Sequence, residues 1–171
     1  MRVRRLSTVS ELQLRDLADL LIDSVEGGAS VSFMQPLPLL EALAFWRGVA
    51  QAVTRGERVL LVAEDATGIV GTVQVLLDMP VNQPHRGDVL KMLVHRRARR
   101  QGLGALLMQA AEEAAHESGK SLLVLDTASA EAERLYARLG WQRVGVIPGY
   151  ALLPQGGLCD TTYFFRVLSR T

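Results

Sequence analysis

A basic, glycine-containing segment at residues 99–105 stands between an apolar run and the most regular helical pattern of the chain. The segment reads Arg99-Arg100-Gln101-Gly102-Leu103-Gly104-Ala105. Apolar residues then recur at positions 103, 106, 107, 110, 111 and 114, which is the spacing of one face of an α-helix. The pattern predicts a strand that leads through a tight basic turn into the N-terminus of a packed helix.

The chemistry that such a turn offers is anion binding. The first N–H groups of a helix have no partner within the helix, and the helix dipole adds positive character there. Glycines at 102 and 104 let the backbone approach a phosphate closely, and the arginines can add charge-assisted hydrogen bonds. The segment is neither a dinucleotide fingerprint, which needs glycine where Leu107 stands, nor a Walker A loop. From these residues alone, a solvated basic loop is the alternative interpretation.

The rest of the chain alternates between strand-like and helix-like patterns. The predicted order is strand, two helices, three strands, helix, strand, helix and two strands, which indicates an α/β layer architecture around one sheet. A capping box, Ser10-Glu11-Leu12-Gln13, predicts the start of the first helix. Strands are predicted over 2–9, 58–63, 69–77, 89–94, 122–125, 143–147 and 161–167, and helices from about 10, 39, 103 and 132. Residues 29–38, 78–87 and 148–160 are predicted to be loops.

The composition argues against several functional classes. The 171 residues fit one domain, 1–171, and 49% of them are hydrophobic, as in globular proteins. Lys and Arg number 19 against 18 Asp and Glu, so no basic bias toward nucleic acid or anionic membrane is present. The arginine cluster at 96–100 is short and has no interleaved aromatic residues, which also argues against nucleic-acid binding. No apolar run approaches the roughly 20 residues of a membrane span.

Cysteine and histidine usage predicts a cytoplasmic protein without a metal. Cys159 is the only cysteine, so no intrachain disulfide can form and a reducing compartment is expected. The three histidines stand apart, without metal-ligand spacing, so no metal site is predicted. No signal-peptide pattern follows Met1, and we expect a soluble, cytoplasmic chain.

Three motifs in their order along the chain carry a family resemblance. Arg99-x-x-Gly102-x-Gly104 matches (Gln/Arg)-x-x-Gly-x-(Gly/Ala), with Lys91-Met92-Leu93-Val94 before it and Ala132-x-x-x-Tyr136-x-x-x-Gly140-Trp141 after it. The chain therefore resembles the GNAT superfamily of N-acetyltransferases. The resemblance implies a mixed, mostly antiparallel sheet of six to seven strands with helices on both faces, splayed between the fourth and fifth strands. It also allows a homodimer.

The resemblance implies a binding mode for acetyl-CoA. The loop that would hold its pyrophosphate consists of Arg99, Arg100, Gln101, Gly102, Leu103, Gly104 and Ala105. The strand at 89–94 would pair with the pantetheine arm, and an N–H near Met92, Leu93 or Val94 would polarise the thioester carbonyl. Ser129 stands where the family usually has asparagine, and it is predicted to cap a helix and to contact the cofactor.

Catalysis needs a base for the amine and an acid for the departing thiolate. The resemblance implies Tyr136 as the acid, with a core aromatic as the alternative. The C-terminal part looks like the branch that contains the tabtoxin-resistance acetyltransferase, which acetylates a β-lactam amino acid toxin. This resemblance implies a pair of carboxylates at the reacting centre. Asp126 and Asp88 are the corresponding candidate bases, with a helix cap and a turn residue as their alternatives. His95 is a further candidate base, although a polar strand-end role suits it better.

The acceptor pocket is predicted less specifically than the cofactor site. Trp46, Tyr150 and Asp160 are candidate acceptor contacts, with apolar packing the alternative for Trp46 and a turn cap for Asp160. The predicted function is direct acetyl transfer, in a ternary complex, to the primary amine of a small, amino-acid-like molecule, a toxin or an antibiotic. A peptide or protein acetyltransferase and a non-catalytic CoA-binding module are the alternatives.

Overall fold

Seven strands form one sheet in the order β1-β2-β3-β4-β5-β7-β6. The computed structural model describes residues 1–169, so the last two positions of the predicted domain lie outside the described residues. The strands are β1 Arg2–Leu6, β2 Arg58–Asp65, β3 Gly68–Leu76, β4 Arg86–Val94, β5 Leu122–Thr127, β6 Gln142–Leu152 and β7 Leu158–Val167. Only β4 and β5 pair in parallel, which makes the sheet mixed and mostly antiparallel, as predicted.

Four helices cover the two faces of this sheet. They are α1 Glu11–Glu26, α2 Leu39–Thr54, α3 Leu103–Glu117 and α4 Ala130–Arg138, and a 3-10 turn spans Arg96–Ala98. The predicted capping box is present, because the Ser10 hydroxyl accepts from the Gln13 N–H while the Gln13 side chain accepts from the Ser10 N–H. None of these helices, within residues 1–169, is long and apolar enough to cross a membrane.

The helices divide the core into two layers. One layer packs α3 and α4 against the sheet, with Leu107, Leu123 and Phe164 among its buried side chains. The other packs α1 and α2 against the opposite face, around Leu17, Trp46 and Leu60. Cross-strand partners share a face, so residues in register with Leu60 also belong to the α1–α2 face. The predicted layer architecture is confirmed.

The sheet splays between β4 and β5. Their pairing is confined to Arg86 with Leu122, Gly87 with Leu123 and Asp88 with Val124. Beyond Asp88 the two strands diverge, and the backbone of β4 facing β5 has no strand partner. A bulge in the pairing of β3 with β4, where Lys91 has a φ of +50°, bends the same segment further.

The strands differ from prediction at several ends. β4 begins at Arg86 and β5 runs to Thr127, so Asp88 and Asp126 lie within strands and not in a turn or a helix cap. The loop predicted over 148–160 was wrong for most of its length, because β6 continues to Leu152 and β7 begins at Leu158. Pro148 and Gly149 fall in a register irregularity between Ile147 and Ala151. The strand therefore passes them without a ladder hydrogen bond from Pro148, which has no N–H to donate.

Candidate active site

A cleft of about 630 Å³ opens where β4 and β5 diverge. Its walls come from the end of α1 and the loop after it, from β4, from residues 98–100 and 102–105, and from the end of β5 with α4. We call it the large cleft. The splay is what creates it, because two paired strands would leave no space between them.

The N-terminus of α3 faces this cleft. Gly102 precedes the helix with a φ of +76°, and Arg100 has a φ of +61°, so the backbone turns sharply into the helix. The first helical hydrogen bond runs from the Leu106 N–H to the Gly102 carbonyl, at 3.3 Å. The N–H groups of residues 103–105 therefore have no partner within the helix, and all three residues line the cleft. This is the geometry of an anion site at a helix start.

The arginine cluster separates into two pairs with different roles. Arg96 donates from its backbone N–H to Asp23 at 2.9 Å and from Nε at 2.8 Å, and Arg97 donates to Asp65 at 2.6 Å. Hydrogen bonds from Thr67, and then Arg97, lower the pKa of Asp65 to about 2. Arg99 and Arg100 instead line the large cleft, where their charge is available to a phosphate.

The loop packs closely against α4. A Cβ on Gly104 would lie 2.9 Å from the Leu135 side chain, so residue 104 is small because the helices touch there. Gly102, Leu103, Gly104 and Ala105 all line the cleft, whereas Gln101 does not. The sequence motif is thus part anion site and part packing contact.

Met92, Leu93 and Val94 of β4 also line the cleft, beside its unpaired edge. Across the cleft, Ser129 caps α4 by accepting from the Ala132 N–H at 3.2 Å, as predicted for a cap. Ser129 lies in the lining as well. Both sides of the cleft therefore present polar backbone or side-chain groups to an extended ligand.

Tyr136 is a core aromatic residue and also part of the cleft wall, so both interpretations that the sequence left open apply to its position. Its ring packs against Trp141 and Phe164, with centroids 6.1 and 5.7 Å away, and the residue is 4% exposed. It nevertheless lines the large cleft. Burial, and then the charge of Asp126, raises the pKa of the Tyr136 hydroxyl above its ordinary value, so the hydroxyl is protonated at neutral pH.

Asp126 lies where the large cleft meets a second cavity. This side pocket, of about 270 Å³, shares Ser30, Ser32 and residues 126–128 with the large cleft. The Thr161 hydroxyl donates to the Asp126 carboxylate at 2.7 Å. A carboxylate at this junction can contact molecules held in either cavity.

Asp88 lies on the same face of the sheet as Asp126 but has a different hydrogen-bond partner. Its partner Val124 precedes Asp126 by two residues, so both carboxylates point to the α1–α2 face. Arg86 donates to Asp88, and Asp88 lines neither cavity. Burial raises the pKa of Asp88, Arg86 opposes that change, and the charge of Asp126 adds to it.

A family model described as an acetyltransferase (GNAT) domain matches residues 56–143, which include β4, the 99–105 loop and α4. An uncharacterized N-acetyltransferase in the hisH-hisA intergenic region of Azospirillum brasilense is 32% identical over 127 residues, 72% of this chain and 73% of that protein. The chain belongs to the GNAT acetyltransferase family. It is an acetyl-CoA-dependent N-acetyltransferase, which confirms the activity predicted from the sequence.

Solved structures show the same GNAT fold along nearly the whole chain. A phosphinothricin acetyltransferase from Sinorhizobium meliloti, in complex with acetyl-CoA, has a TM-score of 0.80 at 17% identity and covers 98% of this chain and 88% of its own. A ribosomal-protein-alanine N-acetyltransferase from Brucella melitensis has the same TM-score at 20% identity, covering 98% and 100%. The fold is therefore compatible with very different acceptors.

The large cleft of this GNAT domain fits acetyl-CoA on its own chemistry. The free N–H groups at the start of α3, together with Arg99 and Arg100, suit a pyrophosphate, and the unpaired edge of β4 suits an arm that carries amides. Within residues 1–169, no three side chains of His, Cys, Asp or Glu gather in an arrangement that could hold a metal ion.

The predicted acceptor residues of this GNAT domain lie in different places. Tyr150 and Asp160 line the side pocket, and Asp160 accepts from the Gly149 N–H at 2.9 Å. Trp46 is 1% exposed, packs against Phe45 and lines neither cavity. Its place in the core follows from its position on the apolar face of α2.

His95 also lies outside both cavities. Its Nδ1 accepts from the Arg97 N–H at 3.2 Å, at the start of the 3-10 turn. This is the polar strand-end role that suits it better than a base.

Sequence reasoning missed three residues near the reacting centre. Lys91 lines the large cleft, Thr161 contacts Asp126, and Tyr163 pairs across the sheet with Asp126. Tyr163 and Tyr150 join their hydroxyls at 3.1 Å, and this bond, with burial and the nearby carboxylates, raises the pKa of Tyr163 to about 12. A signal was present for Lys91, a single charge within the otherwise apolar run Val89-Leu90-Lys91-Met92-Leu93.

Proposed function

We propose that this GNAT enzyme transfers the acetyl group of acetyl-CoA directly to the primary amine of a small molecule. The observation that supports a small acceptor is a docked loop. The Gln35 N–H donates to the Pro154 carbonyl at 2.9 Å, and the Gln155 and Gln35 side chains meet at 3.3 Å. These contacts join the 29–38 loop to the β6–β7 turn, next to Met34 of the side pocket and Leu153 of the large cleft. We infer that the joined loops close the path that an extended peptide would take.

Asp126 is the base in this proposal. A protonated amine is not a nucleophile, so a carboxylate at the meeting point of the two cavities can take its proton, directly or through a water molecule. Thr161 orients that carboxylate by hydrogen bonding. Asp88 has a supporting role, because its charge is already matched by Arg86 and it reaches neither cavity.

Tyr136 is the acid. Tyr136 lines the large cleft, and its raised pKa keeps the hydroxyl in the protonated state that a proton donor requires. As the nitrogen–carbon bond forms and the carbon–sulfur bond breaks, the proton passes to the sulfur. Residues 92–94 of β4 would supply the N–H that stabilises negative charge on the carbonyl oxygen.

The acceptor we put first is an amino-acid-like toxin or antibiotic. The supporting observations are the resemblance of the C-terminal segments to the tabtoxin-resistance branch and the small volume of the side pocket, about 270 Å³. We place the enzyme in the cytoplasm, because a single cysteine suits a reducing compartment. A homodimer is part of the same proposal.

A panel of amines tests the acceptor class. Release of the CoA thiol would be measured with amino acids, β-lactam amino acids, polyamines, aminoglycosides and short peptides, and products would be identified by mass. We expect acetylation of small amines, lost in Asp126→Asn while calorimetric binding of acetyl-CoA persists. Turnover with peptides alone would reject the small-molecule proposal in favour of a peptide or protein acceptor. Binding of acetyl-CoA without turnover of any amine would favour a non-catalytic module.

A further inference from the structure

A lysine side chain lies at the wall of the large cleft. Lys91 is half-buried on β4, and its left-handed backbone at the bulge, with a φ of +50°, places it on the α1–α2 face beside the splay. Its ammonium donates to the Ser32 hydroxyl at 3.2 Å and lies 5.7 Å from the centre of the Phe45 ring. Both contacts come from the acceptor side of the molecule, and not from the loop at 99–105.

The charge of Lys91 is not balanced by a direct partner. Within residues 1–169, no carboxylate oxygen lies within ion-pairing distance of its ammonium, and Asp126 acts on it only from further away. Burial, and then the charge of Arg58, lowers the pKa of Lys91, while Asp126 opposes that change. Burying a charge costs free energy unless it is paired, so a ligand that pairs it would be favoured.

Arg58 adds a second cation to the same region. It is in register with Leu76, which pairs with Asp88, so Arg58 also belongs to the α1–α2 face. One of its nitrogens donates to Gln74, whereas its Nε is buried and, like the Gln74 Nε2, has no hydrogen-bond partner in the described part of the chain. Neither Arg58 nor Gln74 lines either cavity, so Arg58 adds positive charge near Lys91 without contacting a ligand in the cleft.

We propose that Lys91 binds an oxyanion of the acceptor, a carboxylate or a phosphonate, while the amine of the same molecule lies at Asp126. The inference rests on the proposed function, because it deepens the description of the acceptor. A carboxylate on one side and an ammonium on the other complement a zwitterion. The same pair of charges disfavours polyamines and aminoglycosides, whose additional positive charges would lie against Lys91.

Matched substrates isolate the contribution of Lys91. An amino acid that the wild-type enzyme acetylates would be compared with its carboxamide and with its aminophosphonate analogue. We expect kcat/KM to be about 10- to 100-fold higher for the amino acid than for the amide, the effect of one charge-assisted hydrogen bond. Equal or faster reaction of the phosphonate would assign the same site to a phosphonate or phosphate, and a rate as low as that of the amide would assign it to carboxylate.

Two variants test whether the preference comes from Lys91. Lys91→Met should remove the preference for acid over amide, and Lys91→Arg should keep most of it. Arg99→Met is the matched control, because loss of a cation from the phosphate loop should slow both substrates equally. Binding of the N-acetylated amino acid to the CoA-loaded enzyme, measured by calorimetry, gives a readout independent of turnover, and the unfolding temperature reports on folding.

Several outcomes would overturn the inference while leaving the proposed function intact. These are equal rates for acid and amide in the wild type, a preference that survives in Lys91→Met, or loss of acetyl-CoA affinity in Lys91→Met as large as in Arg99→Met. Acetylation of polyamines or aminoglycosides but of no amino acid would also overturn the inference alone. Turnover of no small amine would overturn the proposed function, and the inference with it.

Discussion

Thr161 of β7 donates a hydrogen bond of 2.7 Å to the carboxylate of Asp126 on the neighbouring strand β5. The bond uses one carboxylate oxygen and fixes the group where the two cavities meet. Because β5 and β7 pair along the whole of β5, the position of this carboxylate is determined by the sheet and not by a loop. A base held in this way needs little reorganisation when the acceptor binds.

Replacement of that carboxylate should stop proton removal without disturbing the cofactor site. We expect Asp126→Asn to lower kcat about 100- to 1000-fold, the range of general-base effects. Asparagine has the same shape and can still accept from Thr161, so folding should be preserved. The measurements are steady-state kinetics with the best amine and calorimetric binding of acetyl-CoA, whose affinity should not change.

Asp88→Asn and Thr161→Val are the comparison variants for that prediction. Asp88 lines neither cavity, and Thr161 only orients the base, so each change should cost much less than Asp126→Asn. If Asp88→Asn proved the more damaging of the two aspartate variants, the assignment of the base would have to be reversed.

Tyr136→Phe should slow thiolate departure while leaving the core intact. The ring contacts with Trp141 and Phe164 survive the change, since only the hydroxyl is removed. We expect kcat to fall about 10- to 100-fold, with no loss in unfolding temperature. A viscosity-independent kcat in the variant would show that chemistry limits its rate. Unchanged turnover would contradict the role of Tyr136 as the acid.

The raised pKa of Tyr136 predicts how kcat depends on pH in the alkaline range. Burial and Asp126 raise that pKa above the ordinary value of about 10, so the hydroxyl stays protonated well into the alkaline range. The alkaline limb of the kcat profile should therefore not begin below about pH 10 on account of this residue. A limb near neutral pH that vanished in Tyr136→Phe would mean that the hydroxyl titrates much lower than its surroundings indicate.

Sequence patterns predicted the element order because each element carries its own periodicity. The helical spacing from Leu103 and the capping box at Ser10 are local features, and local features survive folding unchanged. The lengths of β6 and β7 were underestimated because the pairing of two strands is not a local feature. Pro148 and Gly149 look like a turn locally, but pairing with β7 carries the strand past them.

From the residues alone, the candidate site was predictable where the chemistry is contiguous in sequence, and the family resemblance added Asp126, Ser129 and Tyr136, which also line the cleft. The segment at 99–105 combines glycine, charge and a helix start, so its position at the cleft follows directly. The contact of Lys91 with Ser32 joins residues 59 positions apart, and that of Thr161 with Asp126 joins residues 35 apart. No periodicity reports such pairs, because they depend on strand order and on the docking of a loop.

Gly102→Ala should weaken acetyl-CoA binding through backbone conformation alone. A Cβ at Gly102 meets no atom of residues 1–169 within 4 Å, but its φ of +76° disfavours any residue other than glycine. The N–H groups of residues 103–105 would then be misdirected, and we expect a loss of about 1 kcal/mol or more in binding free energy. Calorimetry with acetyl-CoA measures it.

Gly119→Ala is the matched control for Gly102→Ala. Gly119 lies beyond the other end of α3 and has a φ of +80°, and in the described part of the chain no atom lies within 4 Å of the added Cβ. Both variants should lose similar stability from backbone strain, but only Gly102→Ala should lose cofactor affinity. Equal effects of the two on affinity would mean that general destabilisation, and not the anion site, is responsible.

Asp23 connects the first helix to the cofactor loop, and its charge state should govern stability at low pH. Burial opposes its ionisation, but hydrogen bonds from the backbone and side chain of Arg96 outweigh that and hold the pKa of Asp23 below its ordinary value. A carboxylate with a lowered folded-state pKa stabilises the protein fully above its unfolded value of about 3.9, and that contribution is lost as pH falls through the folded value. Asp23→Asn should therefore lower the free energy of unfolding by about 2 kcal/mol at neutral pH.

The difference between wild type and Asp23→Asn is the informative quantity. Urea unfolding near pH 7 should show the full difference, and the difference should shrink below about pH 3.9 as the wild-type carboxylate takes up its proton. Because Arg96 begins the turn that leads into residues 99–105, the variant should also bind acetyl-CoA more weakly at neutral pH. A difference in stability that stayed constant down to low pH would show that shape at position 23, and not its charge, holds Arg96 in place.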